Sequence, residues 1–220
     1  MPLKIDLHLH THYSEDATTT LKEVVSHAKK RGLDGVAVTD HDTTRGARKL
    51  VKQRPKNFII IPSVEVSSLH GHVLALNITE PITPKLSLTE TVEKIRQKGG
   101  TAVIAHPAVI LKTGFGHKIS SASNIDAIEV INAAAFPFFL SNYLSRRLAQ
   151  RLGLPETGGS DAHHPQEIGK AYTMVNADSN LDDIIEAIRK GKTTPFGKPI
   201  PWALRLQRIA TDMKIKLRGR

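Results

Sequence analysis

The chain has 220 residues, of which 40% are apolar and 24% charged, as is typical of a globular protein with one core and at most a small appendage. It has no cysteine, which excludes disulfides and thiolate metal ligands. No apolar run approaches the length of a membrane span and no signal sequence precedes the first predicted strand, so we expect a cytoplasmic protein. The formal net charge of +10 suits an anionic partner, such as a phosphorylated metabolite, a nucleotide or nucleic acid, or serves solubility alone.

The first third of the chain alternates between apolar strand patterns and helices. Four strands are predicted here, over residues 4–10, 35–39, 58–66 and 70–78. The last two are close enough in sequence to pair as a hairpin. Thr20 and Glu23 form a capping box for a first helix that ends at Gly32, and a second helix covers residues 44–53.

The alternation continues through the rest of the chain. Three further strands are predicted, over residues 101–105, 127–131 and 171–175. Three further helices are predicted, over residues 87–99, 140–152 and 181–190. Residues 109–124, rich in Gly, Ser and Lys, are predicted to form a loop at the rim of the site. About seven strand–helix units indicate an α/β fold with mainly parallel strands in a closed or nearly closed barrel.

The last segment differs in composition, so we divide the chain into a barrel domain over residues 1–191 and a basic tail over 192–220. Pro195, Pro199 and Pro201 punctuate the start of the tail. Its apolar residues then follow helical spacing: Trp202, Leu206, Ile209, Met213 and Leu217. We expect an amphipathic helix that packs this stripe on the barrel. The alternative is an arm for nucleic acid, a membrane surface or another subunit.

Several of the predicted strands end in residues that bind metals. His8 and His10 leave the same face of the first strand, because side chains in a strand alternate with a period of two. Five similar residues follow later apolar runs: His41, Glu65, His106, Asp161 and His163. The carboxyl ends of the strands of a parallel barrel meet in one cavity, so these side chains are expected to converge. A site of nitrogen and oxygen ligands suits Zn, Mn, Fe or Mg.

Five segments carry a resemblance to a known family. They read DLHLHTHYSEDA, TDHD, PSVE, AHP and GSDAHHPQEIGKAY, in this order. They resemble the PHP (polymerase and histidinol phosphatase) family over nearly the whole chain, to about residue 177. The resemblance implies a distorted (β/α)7 barrel, a trinuclear metal site and phosphoesterase activity. Attack on the phosphate ester would come from a hydroxide between the first two metals.

The resemblance also assigns nine metal ligands by motif. The first metal would take His8, His10, Glu65 and Asp161. Glu65 would bridge to a second metal held by His72 and His106. The third metal would take Asp16, His41 and His163. His72 is preferred to His70 because it opens the apolar run of residues 73–76, as the family's ligand does. Glu65, Asp161 and His163 are the candidate catalytic residues, with Asp161 or His163 managing the proton.

Further polar residues are candidates for supporting roles. Four basic residues near the rim would bind substrate phosphate: Arg45, Lys112, His117 and Lys118. Each of these could equally be an ordinary surface charge. Three carboxylates flank predicted ligands and could orient imidazoles: Asp6, Asp40 and Asp42. Glu129 and Asn132, at the end of a predicted strand, border the cavity or serve the structure.

Three hypotheses on function follow. The first is a metal-dependent phosphoesterase acting on a small phosphorylated metabolite or nucleotide. The second is a PHP-type nuclease, or a nucleic-acid-binding subunit, that uses the basic tail. The third is a metal-dependent C–N hydrolase of the amidohydrolase kind. Such enzymes also begin with His-x-His, but they would require a bridging Lys at the position that Glu65 occupies here. The sequence leaves the oligomeric state open.

Overall fold

The computed structural model describes the backbone of residues 1–108 and 124–217, and the side chains of these residues up to 210. Within these ranges the strands are β1 (Leu3–Leu9), β2 (Gly35–Val38), β3 (Ile59–Ser68), β4 (Gly71–Leu76), β5 (Thr101–Ile104), β6 (Ala127–Asn132), β7 (Glu156–Gly159), β8 (Ala171–Val175) and β9 (Thr193–Gly197). The α-helices are α1 (Leu21–Lys30), α2 (Arg45–Gln53), α3 (Leu88–Gln97), α4 (Phe138–Leu152), α5 (Leu181–Arg189) and α6 (Trp202–Leu217). A 3-10 turn covers Pro165–Glu167.

The strands form one sheet in the order β7-β6-β5-β4-β3-β2-β1-β8-β9. β1, β2 and β3 are parallel, as are β5, β6 and β7, whereas β4 is antiparallel to both β3 and β5. β8 runs antiparallel to β1 and to β9. All strands of this sheet except β4 and β8 therefore point the same way. The prediction of mainly parallel strands, with the third and fourth paired as a hairpin, is confirmed.

The sheet nearly closes into a barrel at the carboxyl ends of its strands. Leu9 at the end of β1 pairs with Ala162, just beyond β7, in parallel register. The backbone N–H of His10 donates to the Ala162 carbonyl at 2.8 Å. The predicted α/β barrel is confirmed, and its closure brings the ends of β1 and β7 side by side.

Helices cover the outside of the sheet and bury apolar faces against it. Residues from α1 and α2 share one buried cluster, those from α3 and α4 a second, and those from α5 a third. The capping box predicted for α1 is present: Glu23 N–H donates to Thr20 Oγ1, and Thr20 N–H donates to Glu23 Oε2. None of the helices in the described ranges has the length and apolar character needed to cross a membrane.

The sheet continues into the segment predicted as a tail. β9 pairs with β8, with Pro195 opposite Thr173. β9 is the last strand in the sheet order, and an edge position tolerates a proline, which has no N–H to donate. A division of the chain into domains at residue 191 stays a prediction.

The tail helix α6 forms, but the expectation that its apolar stripe packs on the barrel is wrong for the part whose side chains are described. Trp202, Leu206 and Ile209 are 66%, 62% and 54% exposed. Leu204 and Arg205 are instead partly buried. The reason is a set of backbone carbonyls that the Arg205 guanidinium satisfies: those of Ala133, Ala134, Ala135 and Ile200.

Candidate metal centre

The structure brings the nine predicted metal ligands together at the carboxyl end of the barrel. Each of them belongs to at least one group whose ligand atoms all lie within 4.8 Å of one another. The four groups are His10, Asp16, His41 and His163; His8, His10 and Glu65; His8, His106 and Asp161; and His41, Glu65 and His72. The clustering follows from topology, because strands that share a direction end at one edge of the barrel.

The buried carboxylate of Glu65, on β3, lies at the centre of the cluster. Its Oε2 is 3.2 Å from ring nitrogens of His8, His10 and His41. Its Oε1 is 2.8 Å from His72 Nδ1 and 3.2 Å from His106 Nε2. The two oxygens thus face two different sets of imidazoles, which is the arrangement a carboxylate needs to bridge two metal ions.

The hairpin of β3 and β4 places two neighbouring histidines differently. His72 lies opposite Ser67 in the hairpin register, and its ring reaches Glu65. His70 belongs to none of the ligand groups found among the described residues.

A second carboxylate, Asp161, follows β7. Its Oδ1 is 3.5 Å from His8 Nε2 and 3.3 Å from His10 Nε2. Its Oδ2 accepts a hydrogen bond from Asn132 Nδ2 at 3.3 Å. Asp161 has a φ of 51°, in the left-handed region that is costly for residues with a side chain. Such strain, of the order of 1–3 kcal/mol, clusters at functional sites.

The third carboxylate, Asp16, lies in the loop after β1. Its Oδ2 is 3.0 Å from His163 Nε2 and 3.5 Å from His41 Nε2. His163 Nδ1 donates to the backbone carbonyl of Asp161 at 2.9 Å. This bond turns Nε2 of His163 towards Asp16.

The two histidines of β1 are oriented from outside the cluster. His8 Nδ1 donates to Glu129 Oε1 at 3.0 Å, and His10 Nδ1 donates to Ser14 Oγ at 3.2 Å. Their Nε2 atoms point inward and lie 3.3 Å apart. In the metal-free protein burial lowers the pKa of both rings, but neighbouring carboxylates outweigh it: Glu129 and Glu65 raise the pKa of His8, and Asp161 and Glu65 raise that of His10 to about 9. A metal that binds through Nε2 would therefore displace a proton from each ring, which the Nδ1 hydrogen bonds already hold in place. The sequence left the role of Glu129 open and gave no reason to single out Ser14.

The three flanking carboxylates hold backbone and hydroxyl groups rather than imidazoles. Asp40 Oδ1 accepts from Ser14 Oγ at 3.2 Å and so fixes the hydroxyl that meets His10. Asp6 accepts from the backbone N–H groups of Ser160 and Gly169, each at 2.9 Å. Burial raises the pKa of Asp6 to about 6 against these hydrogen bonds, and it also raises the pKa of Asp40.

Gly159, at the end of β7, makes the close packing of β7 on β1 possible. A Cβ at this position would lie 2.3 Å from His8 Cβ and 2.8 Å from the His8 backbone nitrogen. Only glycine fits here, and the sequence alone did not identify this requirement.

Comparison with known proteins gives a close relative and a partial family match. The uncharacterized protein MJ1587 of Methanocaldococcus jannaschii is 35% identical over 144 residues, which are 60% of this chain and 82% of that protein. A family model described as PHP-associated matches residues 139–193. The chain belongs to the PHP family.

Solved structures share the PHP barrel. A two-domain protein of Bacteroides vulgatus, which contains a predicted PHP-like metal-dependent phosphoesterase, superposes with a TM-score of 0.73 at 19% identity over 90% of this chain. The lesion-specific endonuclease EndoQ of Pyrococcus furiosus superposes with a TM-score of 0.65 at 21% identity over 89% of this chain. This chain spans only 65% and 58% of those two proteins. At these identities the likeness shows the fold.

The donor set of this PHP member fits divalent metal ions. It comprises six imidazoles and three carboxylates. Neutral imidazole and carboxylate are the ligands that Zn, Mn and Fe prefer in proteins without thiolates. Burial opposes the ionisation of Glu65, but the neighbouring His8 and His72 outweigh burial and hold the pKa of Glu65 well below its ordinary range. The central carboxylate is therefore charged and able to bind cations.

The PHP cluster is buried on one side and open on the other. Glu65 and His8 are at most 1% exposed, whereas Asp16, His41 and His72 are 47%, 24% and 25% exposed. Solvent and any ligand therefore reach the cluster past the last three side chains.

Of the four predicted phosphate-binding residues, the structure describes only Arg45. Arg45 is exposed at the start of α2, with its guanidinium 5.5 Å from the centre of the Tyr13 ring. Lys112, His117 and Lys118 lie outside the described residues. Their role in binding phosphate stays a prediction.

Proposed function

We propose that this PHP-family chain is a metal-dependent phosphoesterase that binds three divalent ions, with Mn, Zn and Fe as candidates and Mg as a further one. The observation that carries the proposal is the Glu65 carboxylate, whose two oxygens contact two separate sets of imidazoles. Divalent ions bound here would lower the pKa of water and neutralise phosphoryl oxygens, which are the two requirements for hydrolysis of a phosphate ester.

The division of the ligands among three metals follows the family motifs, and Glu65 Oε1, which faces both His72 and His106, supports the second set. The first would be held by His8, His10, Glu65 and Asp161. The second would be held by Glu65, His72 and His106. The third would be held by Asp16, His41 and His163. The ligand atoms of the third set all lie within 4.8 Å of one another and of a ring nitrogen of His10. Within this set, Asp16 contacts both His41 and His163.

Asp161 and His163 are the proposed proton-handling residues. Asn132 fixes Oδ2 of Asp161, and the Asp161 carbonyl fixes the ring of His163, so neither side chain has to reorient during the reaction. Burial and the nearby His10 lower the pKa of His163 to about 4. His163 is therefore neutral near pH 7 and can accept a proton or bind a cation through Nε2.

The substrate would enter from the open side, past Asp16, His41 and His72. A small phosphorylated metabolite or nucleotide suits the net charge of +10. Arg45, Lys112, His117 and Lys118 are the proposed contacts of its further phosphate groups.

The test is hydrolysis of a panel of esters by protein loaded with Mn, Zn, Fe or Mg. The panel contains histidinol phosphate, 3′,5′-bisphosphonucleotides, short RNA and DNA, and an N-acyl amide for the C–N hydrolase hypothesis. His8→Ala and Asp161→Ala are expected to abolish metal-dependent turnover, whereas His27→Ala on α1 is the matched control and is expected to retain it. A fully metallated wild type that turns over no ester would overturn the proposal.

A nuclease is the second candidate function. The fold likeness to a lesion-specific endonuclease and the excess of basic residues favour it. It predicts that DNA or RNA in the panel is cleaved faster than the mononucleotides, and that the rate falls steeply with salt because phosphate contacts release counterions. Faster turnover of the small esters would exclude it.

A further inference from the structure

Helix α4 packs on the sheet with small side chains and leaves its large apolar ones in solvent. Ser141, Ser145 and Ala149 are at most 2% exposed. Residues three and four apart on a helix share a face, so the apolar residues of its first two turns form a second, outward face. The exposed apolar residues on this side, with one in the loop just before the helix, are Phe136, Phe139, Leu140, Tyr143 and Leu144.

Helix α6 also turns its apolar face outward, and the two faces meet. Trp202, Leu206 and Ile209 are spaced four and three residues apart, which places them on one side of α6, and all three are exposed. The rings of Phe136 and Trp202 contact each other edge to face, with their centres 5.5 Å apart. This contact joins the outward faces of α4 and α6 into one surface, which we call the α4–α6 patch.

The α4–α6 patch is large for a protein that acts as a monomer. Its four aromatic residues are 44–80% exposed and, at about 200 Å² for a whole aromatic side chain, present about 500 Å². The largest apolar patch on a typical monomer covers about 300–600 Å². Leu140, Leu144, Leu206 and Ile209, which are 41–62% exposed, enlarge the patch further. Its total area approaches the roughly 800 Å² that each partner buries in a standard protein interface.

The composition of the patch indicates which kind of partner it fits. Within residues 136–144 and 201–210, all of which the structure describes, every exposed side chain is apolar or aromatic except that of Gln207. The cores of protein interfaces are likewise poor in charged residues and rich in Phe, Tyr and Trp. A surface for anionic lipid or nucleic acid would instead combine such residues with lysine and arginine. The patch therefore fits a protein partner.

We propose that the α4–α6 patch is the interface of a homodimer, in which it packs against the same patch of a second copy. A two-fold axis places one surface on both sides of the interface, and an apolar surface without charge is complementary to itself. A different partner attracted by the net charge of +10 would be acidic. Its carboxylates would meet no cation among the exposed residues of these two segments. The dimer is independent of the proposed phosphoesterase activity.

The experiment is sedimentation equilibrium of the full chain at about 1–100 μM, the range in which micromolar association is measured. It compares wild type with Phe139→Glu and Trp202→Glu, which each place a charge in the patch. Leu69→Glu is the matched control, because Leu69 is 64% exposed in the turn between β3 and β4, outside the patch. Circular dichroism establishes that each variant is folded, and either patch variant alone is enough to decide the comparison.

We expect wild type to dimerise with a Kd of about 1 μM or below, since interfaces of standard size span micromolar to picomolar affinity. Phe139→Glu and Trp202→Glu should each raise this Kd about 30-fold or more, as the loss of an aromatic anchor does. Leu69→Glu should stay within about twofold of wild type.

Two results would overturn the homodimer. One is a wild type that remains monomeric at about 100 μM, far above the Kd expected for an interface of this size. The other is a dimer that the two patch variants weaken no more than Leu69→Glu does. A monomeric wild type that binds vesicles of anionic lipid, and loses this binding in Trp202→Glu, would assign the patch to a membrane surface instead.

Discussion

The carboxylate of Glu129 offers a direct test of how the metal centre is held together. This residue is 1% exposed and belongs to none of the ligand groups found among the described residues. Its Oε1 accepts from His8 Nδ1 at 3.0 Å. Its Oε2 accepts from the His106 backbone N–H at 2.9 Å and from Asn132 Nδ2 at 3.0 Å. Three strands that carry proposed ligands or their partners therefore meet at one carboxylate.

Glu129→Gln keeps the shape of this side chain but replaces one acceptor oxygen with a donor. Whichever way the amide is turned, its NH2 group faces either His8 Nδ1 or the donors from His106 and Asn132. The loss of such an outer partner typically costs about 10- to 100-fold in metal affinity. At 1.36 kcal/mol for each factor of ten, this is about 1.4–2.7 kcal/mol.

The assay is a competition titration of the metal-free protein with Zn or Mn against a chelator of known affinity. Glu156→Gln is the matched control, since Glu156 pairs with Arg146 at the start of β7, away from the cluster. Glu129→Gln should bind metal about 10- to 100-fold more weakly, and the control should match wild type. Equal affinities of wild type and Glu129→Gln would refute the view that Glu129 positions the ligands.

Three other predictions follow from the surroundings of β1. Gly159→Ala should destabilise the protein by about 1–3 kcal/mol in a denaturant titration, because its Cβ has no room beside His8; an unchanged midpoint would contradict this. Ser14→Ala should weaken metal binding in the same competition titration, because His10 Nδ1 loses its acceptor, and unaltered binding would show that Ser14 does not orient the ring. Asp6 has a pKa raised to about 6 by burial, so its contribution to stability is greatest when it is protonated. The unfolding free energy of metal-free wild type should fall relative to Asp6→Asn, by up to about 3 kcal/mol, as pH rises from about 4 through 6, and a constant difference would refute the shift.

The site was predictable from the sequence because its signals are local. His8 and His10 alternate on one strand, and Glu65 and His106 each follow an apolar run, so strand periodicity and a shared strand direction are enough to bring them together. The fold was predictable for a similar reason, because strand and helix patterns alternate over the whole barrel. The assignment of individual ligands to metals came from the family resemblance and stays a prediction.

The features that the sequence did not reveal depend on contacts between distant segments. Ser14 matters only because the loop after β1 folds back under His10, and Gly159 only because β7 approaches His8 so closely. Pro195 makes the sequence of β9 resemble an irregular tail, although a strand at the edge of a sheet tolerates a proline. In each case the deciding neighbour is far away in sequence, where neither periodicity nor capping patterns give any information.

The orientation of α6 shows why its amphipathic pattern misled. The pattern predicts that the apolar stripe faces the barrel, which holds when the underlying surface is apolar. Here the surface under the helix includes the carbonyls of residues 133–135, and buried carbonyls need hydrogen-bond donors. Arg205 supplies those donors and Leu204 packs beside Ala133 and Ile200, so Trp202 and Leu206 stay largely exposed. These carbonyls belong to a loop about 70 residues earlier in the chain, so the sequence pattern of α6 gives no information about them.

The two sides of the cluster are built for different tasks. On the buried side, Glu129 and Asn132 tie His8, His106 and Asp161 into one network, which keeps the ligand atoms in place before any metal arrives. On the open side, Asp16 is nearly half exposed, and in the part of the chain that the structure describes it contacts His41 and His163. Preorganised ligands favour tight metal binding, whereas an exposed ligand permits exchange of water and substrate. A ligand that enters past Asp16, His41 and His72 therefore meets the site at its more exchangeable end.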